Sequence, residues 1–148
     1  MKKALGMSLL MLVALGCLFS PVSAQDRWEV QVRKQLRAHA LVISDIADVD
    51  IEEAYAPFIQ SLKRNQSQDI TYRLVEGVTY VLTGACDEDC QDLDFKLFSD
   101  STKIREDVAS DDRPTIIFTP AWTGTYTLRV IMVNCTREPC RYGVGAFK

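Results

Sequence analysis

The sequence predicts a mainly β protein, a jelly-roll-like antiparallel β-sandwich preceded by one amphipathic α-helix. Three observations predict it. Short segments with apolar residues at every second position recur from about residue 58 to the C-terminus, separated by turn residues. Apolar residues at three- and four-residue spacing run in one place, ahead of all those segments. Strand and helix patterns do not alternate, which argues against a parallel α/β sheet. The 148 residues are 47% apolar and 25% charged, enough for one packed core and too apolar for a disordered chain.

In chain order, Met1-Lys2-Lys3 precedes an apolar run from Ala4 to Phe19 and then Ser20-Pro21-Val22-Ser23-Ala24. This reads as a bacterial secretory signal peptide over residues 1–24. The run is short for a bilayer crossing, and Val22-x-Ala24 offers the small residues that signal peptidase accepts. Ala14-Leu15-Gly16-Cys17 offers a second reading, lipoprotein cleavage with Cys17 as the lipidated terminus. Both readings lead out of the cytoplasm, to the periplasm or the cell exterior, and no later apolar run suggests a membrane span in the mature chain. Of 17 basic residues, losing Lys2 and Lys3 leaves 15 against 20 acidic ones, so the mature chain carries −5. That charge disfavours nucleic acid as a partner.

Residues 25–57 read as an N-terminal helix and its connection. Asp26 and Glu29 have capping-box spacing, and Trp28, Val32, Leu36, Ala40 and Ile43 form one apolar stripe, predicting a helix over about 27–43. Arg33, Lys34 and Arg37 occupy the opposite face. The sandwich is expected over 58–148. Phe58 to Leu62 reads as a short strand and Lys63 to Asp69 as a loop. Ile70, Tyr72 and Leu74, the turn Glu76-Gly77, and Val78, Tyr80 and Leu82 read as a hairpin or two neighbouring strands. Further strands are marked by Leu93, Phe95 and Leu97; by Ile116 and Phe118; by Tyr126, Leu128, Val130 and Met132; and by Tyr142, Val144 and Ala146. The total expected is six or seven.

Four segments occur in an order that resembles a known family. They are Glu76-Gly77-Val78-Thr79-Tyr80, Asp92-Leu93-Asp94-Phe95-Lys96-Leu97, Asp111-Asp112, and Gly124-Thr125-Tyr126-Thr127-Leu128-Arg129-Val130. Together they are similar to the bacterial pre-peptidase C-terminal domain, a jelly-roll-like module of secreted proteins, over roughly residues 58–148. The resemblance implies a fold and an extracellular habitat. The chain departs from the family in the turn after Leu97, which lacks the usual glycine, in its two cysteine pairs, and in having no protease ahead of the domain.

The densest chemical feature is acidic. From Cys86 to Asp112 there are ten acidic residues against Lys96, Lys103 and Arg105. Calcium takes six to eight oxygen ligands, and closely spaced loop aspartates can deliver several to one point. Asp87, Asp89, Asp92 and Asp94 are therefore candidate calcium ligands, joined by Asp111 or Asp112 where the later turn folds back. The plainer reading is a solvated acidic loop, and the EF-hand pattern is absent.

Outside the signal segment the cysteines are Cys86, Cys90, Cys135 and Cys140. Local disulfides, Cys86–Cys90 and Cys135–Cys140, are the expected pairing, with cross-pairing between the two loops as the alternative. His39, the single histidine, lies on the helix away from any serine or cysteine motif, and no Gly-x-Ser-x-Gly elbow occurs, so a nucleophilic hydrolase has little support. Trp122, within Pro120-Ala121-Trp122-Thr123-Gly124, falls at a turn, where an aromatic either packs over the sandwich end or stacks on a ligand. The functional expectation is an exported, non-catalytic binding module for an extracytoplasmic protein or glycan, with calcium as the one candidate cofactor. The alternatives are an accessory envelope protein acting through its helix and, more distantly, a hydrolase relying on His39.

Overall fold

The computed structural model describes residues 24–47 and 50–148, so the signal-peptide and Cys17 readings lie outside the described residues. Helix α1 spans Ala24–Ala47, longer at both ends than the apolar stripe alone predicts. No Gly or Pro interrupts it. Asp26 falls within the helix and not at its start, where the capping-box spacing would put it. Glu29 Oε1 instead accepts from the Arg33 guanidinium one turn on, at 3.1 and 2.6 Å.

Eight strands follow: β1 (Glu53–Leu62), β2 (Ser67–Leu74), β3 (Tyr80–Cys86), β4 (Cys90–Ser99), β5 (Thr102–Asp107), β6 (Thr115–Phe118), β7 (Gly124–Cys135) and β8 (Cys140–Phe147). They form two antiparallel sheets, ordered β1-β8-β3-β6 and β2-β7-β4-β5. This interleaved order is that of an eight-stranded jelly roll. The sandwich begins at Glu53, before the expected 58, and β2 takes up part of the expected 63–69 loop.

Residues 70–85 do not form a hairpin. β2 and β3 belong to different sheets, and Glu76-Gly77 carries the chain across the sandwich, with Gly77 N donating to Pro120 O at 3.0 Å. β5 is the strand that the periodicity missed. Thr102-Lys103-Ile104-Arg105-Glu106-Asp107 holds one large apolar residue because it is a sheet edge, where charges protect unpaired backbone.

The core between the sheets follows the period-two pattern. Leu93, Phe95 and Leu97 of β4 and Tyr126, Leu128, Val130 and Met132 of β7 point inward from one sheet; Tyr80 and Leu82 of β3 and Tyr142, Val144 and Ala146 of β8 meet them from the other. The β1-β8-β3-β6 sheet has a second buried face. Val32, Leu36 and Ala40 of α1 pack on Val81, Ala85 and Phe147, with Trp28, Ile43, Ile51 and Ile59 at the margin. This explains why every residue of β3 is buried.

Two glycines set how close the helix lies. Gly143 and Gly145 of β8 fall on the helix-facing side of the strand. A Cβ at Gly143 would overlap Val32 Cγ1, and one at Gly145 would come within 2.6 Å of the Phe147 ring and 3.4 Å of Leu36 Cβ. The missing side chains form a shallow furrow that receives the stripe of α1. Gly143→Ala is expected to lower the free energy of unfolding by about 1–3 kcal/mol, measured by denaturant titration. The cost should shrink when Val32→Ala is combined with it, because the overlap is then relieved.

Candidate functional site

Both disulfides form with the local pairing, Cys86–Cys90 and Cys135–Cys140. They sit at the same end of the sandwich, where Cys90 of β4 lies opposite Cys135 of β7 in register. Disulfides of this kind belong to an oxidising compartment. No helix among the described residues is long and apolar enough to cross a membrane.

The acidic residues divide into two groups. Asp87 and Asp89 lie in the β3–β4 turn closed by the first disulfide, and their oxygens are largely engaged by the scaffold. Asp87 Oδ2 accepts from Arg141 N at 2.8 Å, while Asp89 Oδ1 meets Thr136 Oγ1 at 3.4 Å and Arg137 Nε at 3.6 Å. Thr136 N and Oγ1 also donate to Asp89 O, lacing the two disulfide loops together. Asp111 Oδ1 accepts from Arg113 N at 2.9 Å and Asp112 Oδ1 from Arg113 Nε at 3.2 Å. These are turn-stabilising roles.

Asp92 and Asp94 project from the outer face of β4. The 109–113 turn does fold back, with Leu93 N donating to Asp111 O at 2.9 Å. The result is mutual repulsion. Desolvation first, and then the Asp111 charge, raises the Asp92 carboxyl above its ordinary range. Desolvation, then Asp92, does the same for Asp94, with Lys96 opposing. Among the described residues, no group of three or more His, Cys, Asp or Glu side chains is placed to hold a metal ion. Asp87, Asp89, Asp92 and Asp94, with Asp111 or Asp112, are therefore spread over the turn and strand and are not gathered into such a group. Nor do the acidic turn and Trp122 share a surface, because β4 and β7 pair Cys90 with Cys135 at one end and Ser99 with Tyr126 near the other.

What the acidic turn does face is α1. Trp28, Gln31 and Gln35 of the helix, Cys86, Asp87, Glu88 and Asp89 of the turn, Asp112, and Arg141 of β8 line a cleft of about 410 Å³. The Arg141 guanidinium lies over the Trp28 ring at 5.7 Å. Asp87 Oδ1 is enclosed without a donor. Sequence reasoning took Trp28 as a packing residue and passed over Arg141. The available signal was Gly143 and Gly145 alternating with core residues on β8, which marks a strand approached closely from outside and puts Arg141 on that same face.

One helical turn further along, a smaller cleft holds Gln35, His39, Ala85, Cys86, Asp112 and Arg113. His39 Nδ1 lies 3.4 Å from Gly84 O, and no hydroxyl or free thiol is among the residues lining this cleft. No family model matches the chain, and no curated protein matches it.

Trp122 sits at the opposite end, 54% exposed. Its ring stacks at 28° on Tyr126, 6.3 Å between centroids, and its carbonyl accepts from Tyr126 Oη at 2.9 Å. Thr123 Oγ1 accepts from Glu76 N at 2.9 Å, tying this turn to the β2–β3 crossing.

Two predictions follow from these placements. Burial chiefly lowers His39 from its ordinary 6.5; the Arg113 charge lowers it further, while the Gly84 carbonyl and Asp112 oppose. A lowered folded value means stability that is complete above the unfolded value and is lost as pH falls through the folded one. The melting midpoint of the wild type should therefore decline between about pH 7 and about pH 5 more than that of His39→Gln; equal slopes would contradict this. Calcium and chelator should give the same midpoint, because a ligand raises it only by binding the native state; a clear rise in calcium would show that the carboxylates do gather around the ion.

Proposed function

We propose that this chain is an exported, non-catalytic binding module for an extracytoplasmic protein or glycan, and that it contacts its partner through Trp122. One observation carries the reading: an indole more than half exposed on a turn that is hydrogen-bonded at three points. Such an aromatic offers a large apolar surface with little ordering left to lose on binding. The jelly-roll scaffold and the two disulfides support an extracellular habitat, in keeping with the resemblance to pre-peptidase C-terminal domains. The environment of His39, whose cleft offers no hydroxyl or free thiol, supports a role without hydrolytic chemistry.

A second reading, an accessory protein acting through its helix, is favoured by Leu41, Val42 and Ile46, which leave apolar side chains exposed near the C-terminal end of α1, Ile46 at 81%. Because α1 covers one sheet, point substitutions are the right probe and deletion of the helix is not. Capture of periplasmic proteins and envelope glycans by the disulfide-bonded protein is expected to disappear in Trp122→Ala with the fold retained by circular dichroism. Capture that survives Trp122→Ala and fails in Val42→Asp/Ile46→Asp would transfer the function to the helix.

A further inference from the structure

The cleft between α1 and the Cys86–Cys90 turn lies away from Trp122, and its lining carries both halves of hydrogen-bond chemistry. Glu88 and the second carboxylate oxygens of Asp89 and Asp112 supply acceptors; Gln31, Gln35 and Arg141 supply donors. Its volume, about 410 Å³, falls in the usual range for small-molecule sites. Among the described residues, the side chains of Gln31, Gln35 and Glu88 make no hydrogen bond, and the Arg141 guanidinium meets the Trp28 ring with its N–H edges unpaired. Beyond the Trp28–Arg141 stack a second hollow, about 240 Å³, continues past Glu29, Pro57, Gln60 and Ser61.

We infer that this cleft binds a neutral saccharide, with the Trp28–Arg141 pair between two adjoining sugar positions. Each sugar hydroxyl both donates and accepts, so one ligand can engage the carboxylates and the amide and guanidinium N–H groups together. Planar carboxylate, amide and guanidinium groups suit pairs of neighbouring hydroxyls, and the Trp28 indole, which lines both hollows, supplies the apolar contact for ring C–H groups. Anions and bare cations use only part of the lining. Phosphate or sulfate would face four carboxylates. A bare divalent cation finds no set of three ligands. A basic peptide would answer the carboxylates through its side chains and Gln31, Gln35 and Arg141 through its carbonyls, and its binding differs from that of a neutral sugar in being lost at high salt. The inference does not rest on Trp122.

The chain has two tryptophans, so Trp122→Phe leaves Trp28 as the reporter. Its emission would be titrated with cellobiose, maltose and N,N′-diacetylchitobiose at low and high salt. A saturable change with at least one disaccharide is expected, insensitive to salt and weakened about tenfold by Gln35→Ala. Gln35→Glu, which keeps the side-chain shape and removes the donor, should weaken it comparably while the melting midpoint stays near that of the parent. No response to any of the three sugars, or a response unchanged by both Gln35 variants, would overturn the inference. So would a response confined to an oligolysine peptide and abolished by salt, which would make the cleft a basic-peptide groove.

Discussion

The contact on which the rest of the structure depends is the seating of α1 against Gly143 and Gly145. Val32 Cγ1 lies where a Cβ on Gly143 would have to be, and Leu36 comes within 3.3 and 3.4 Å of the Cβ positions of Gly143 and Gly145, so the helix comes nearer the sheet than ordinary side chains permit. That approach buries the outer face of β3 and β8, turning a two-layer sandwich into a three-layer body with two apolar interfaces. It also fixes the height of Trp28, Gln31, Gln35 and His39 above the sheet end. The clefts beside the helix exist because the apolar stripe sinks while the polar flank, one residue to the side, stays at the rim. A helix held further out would leave Trp28 too distant to stack on Arg141.

The acidic segment shows how closely spaced carboxylates are taken up by the backbone around them. Asp87, Asp107, Asp111 and Asp112 each accept from a neighbouring backbone or guanidinium N–H, and Asp107 alone holds Ala109 N and Thr115 N. Carboxylates used in this way terminate strands and shape turns. The charges that remain against one another are Asp92 and Asp94, on the outer face of β4, where the returning 109–113 turn partly covers them and Asp92 Oδ1 is enclosed without a donor. The two roles separate along the chain: turn aspartates organise backbone, and strand aspartates hold charge against a half-covered sheet face.

Much of the sandwich was legible because a strand with one buried face repeats every two residues. β4, β7 and β8 declare themselves through Leu93/Phe95/Leu97, Tyr126/Leu128/Val130 and Tyr142/Val144/Ala146. β5 did not, since an edge strand buries little and Lys103, Arg105 and Glu106 suit solvent. Nor could Glu76-Gly77 announce whether it joins strands of one sheet or crosses between two, because a short turn serves both. At the candidate site, the aspartates and cysteines were visible from composition, while the destinations of their atoms were not. The donors to Asp87 and Asp89, Arg141 and Thr136, lie 54 and 47 residues away. Only the register of β8 and the pairing of β4 with β7 bring them there.

Each disulfide joins strands of different sheets, Cys86–Cys90 linking β3 to β4 and Cys135–Cys140 linking β7 to β8. The covalent ties therefore work like the spine of a book, fastening both covers along one edge. At the fore-edge, where Trp122 sits, the covers are held by packing and hydrogen bonds alone. There the Gly77–Pro120, Glu76–Thr123 and Tyr126–Trp122 hydrogen bonds act as the clasp. The indole therefore stands on the clasped edge, while a ligand lodged beside the acidic turn would rest against the spine.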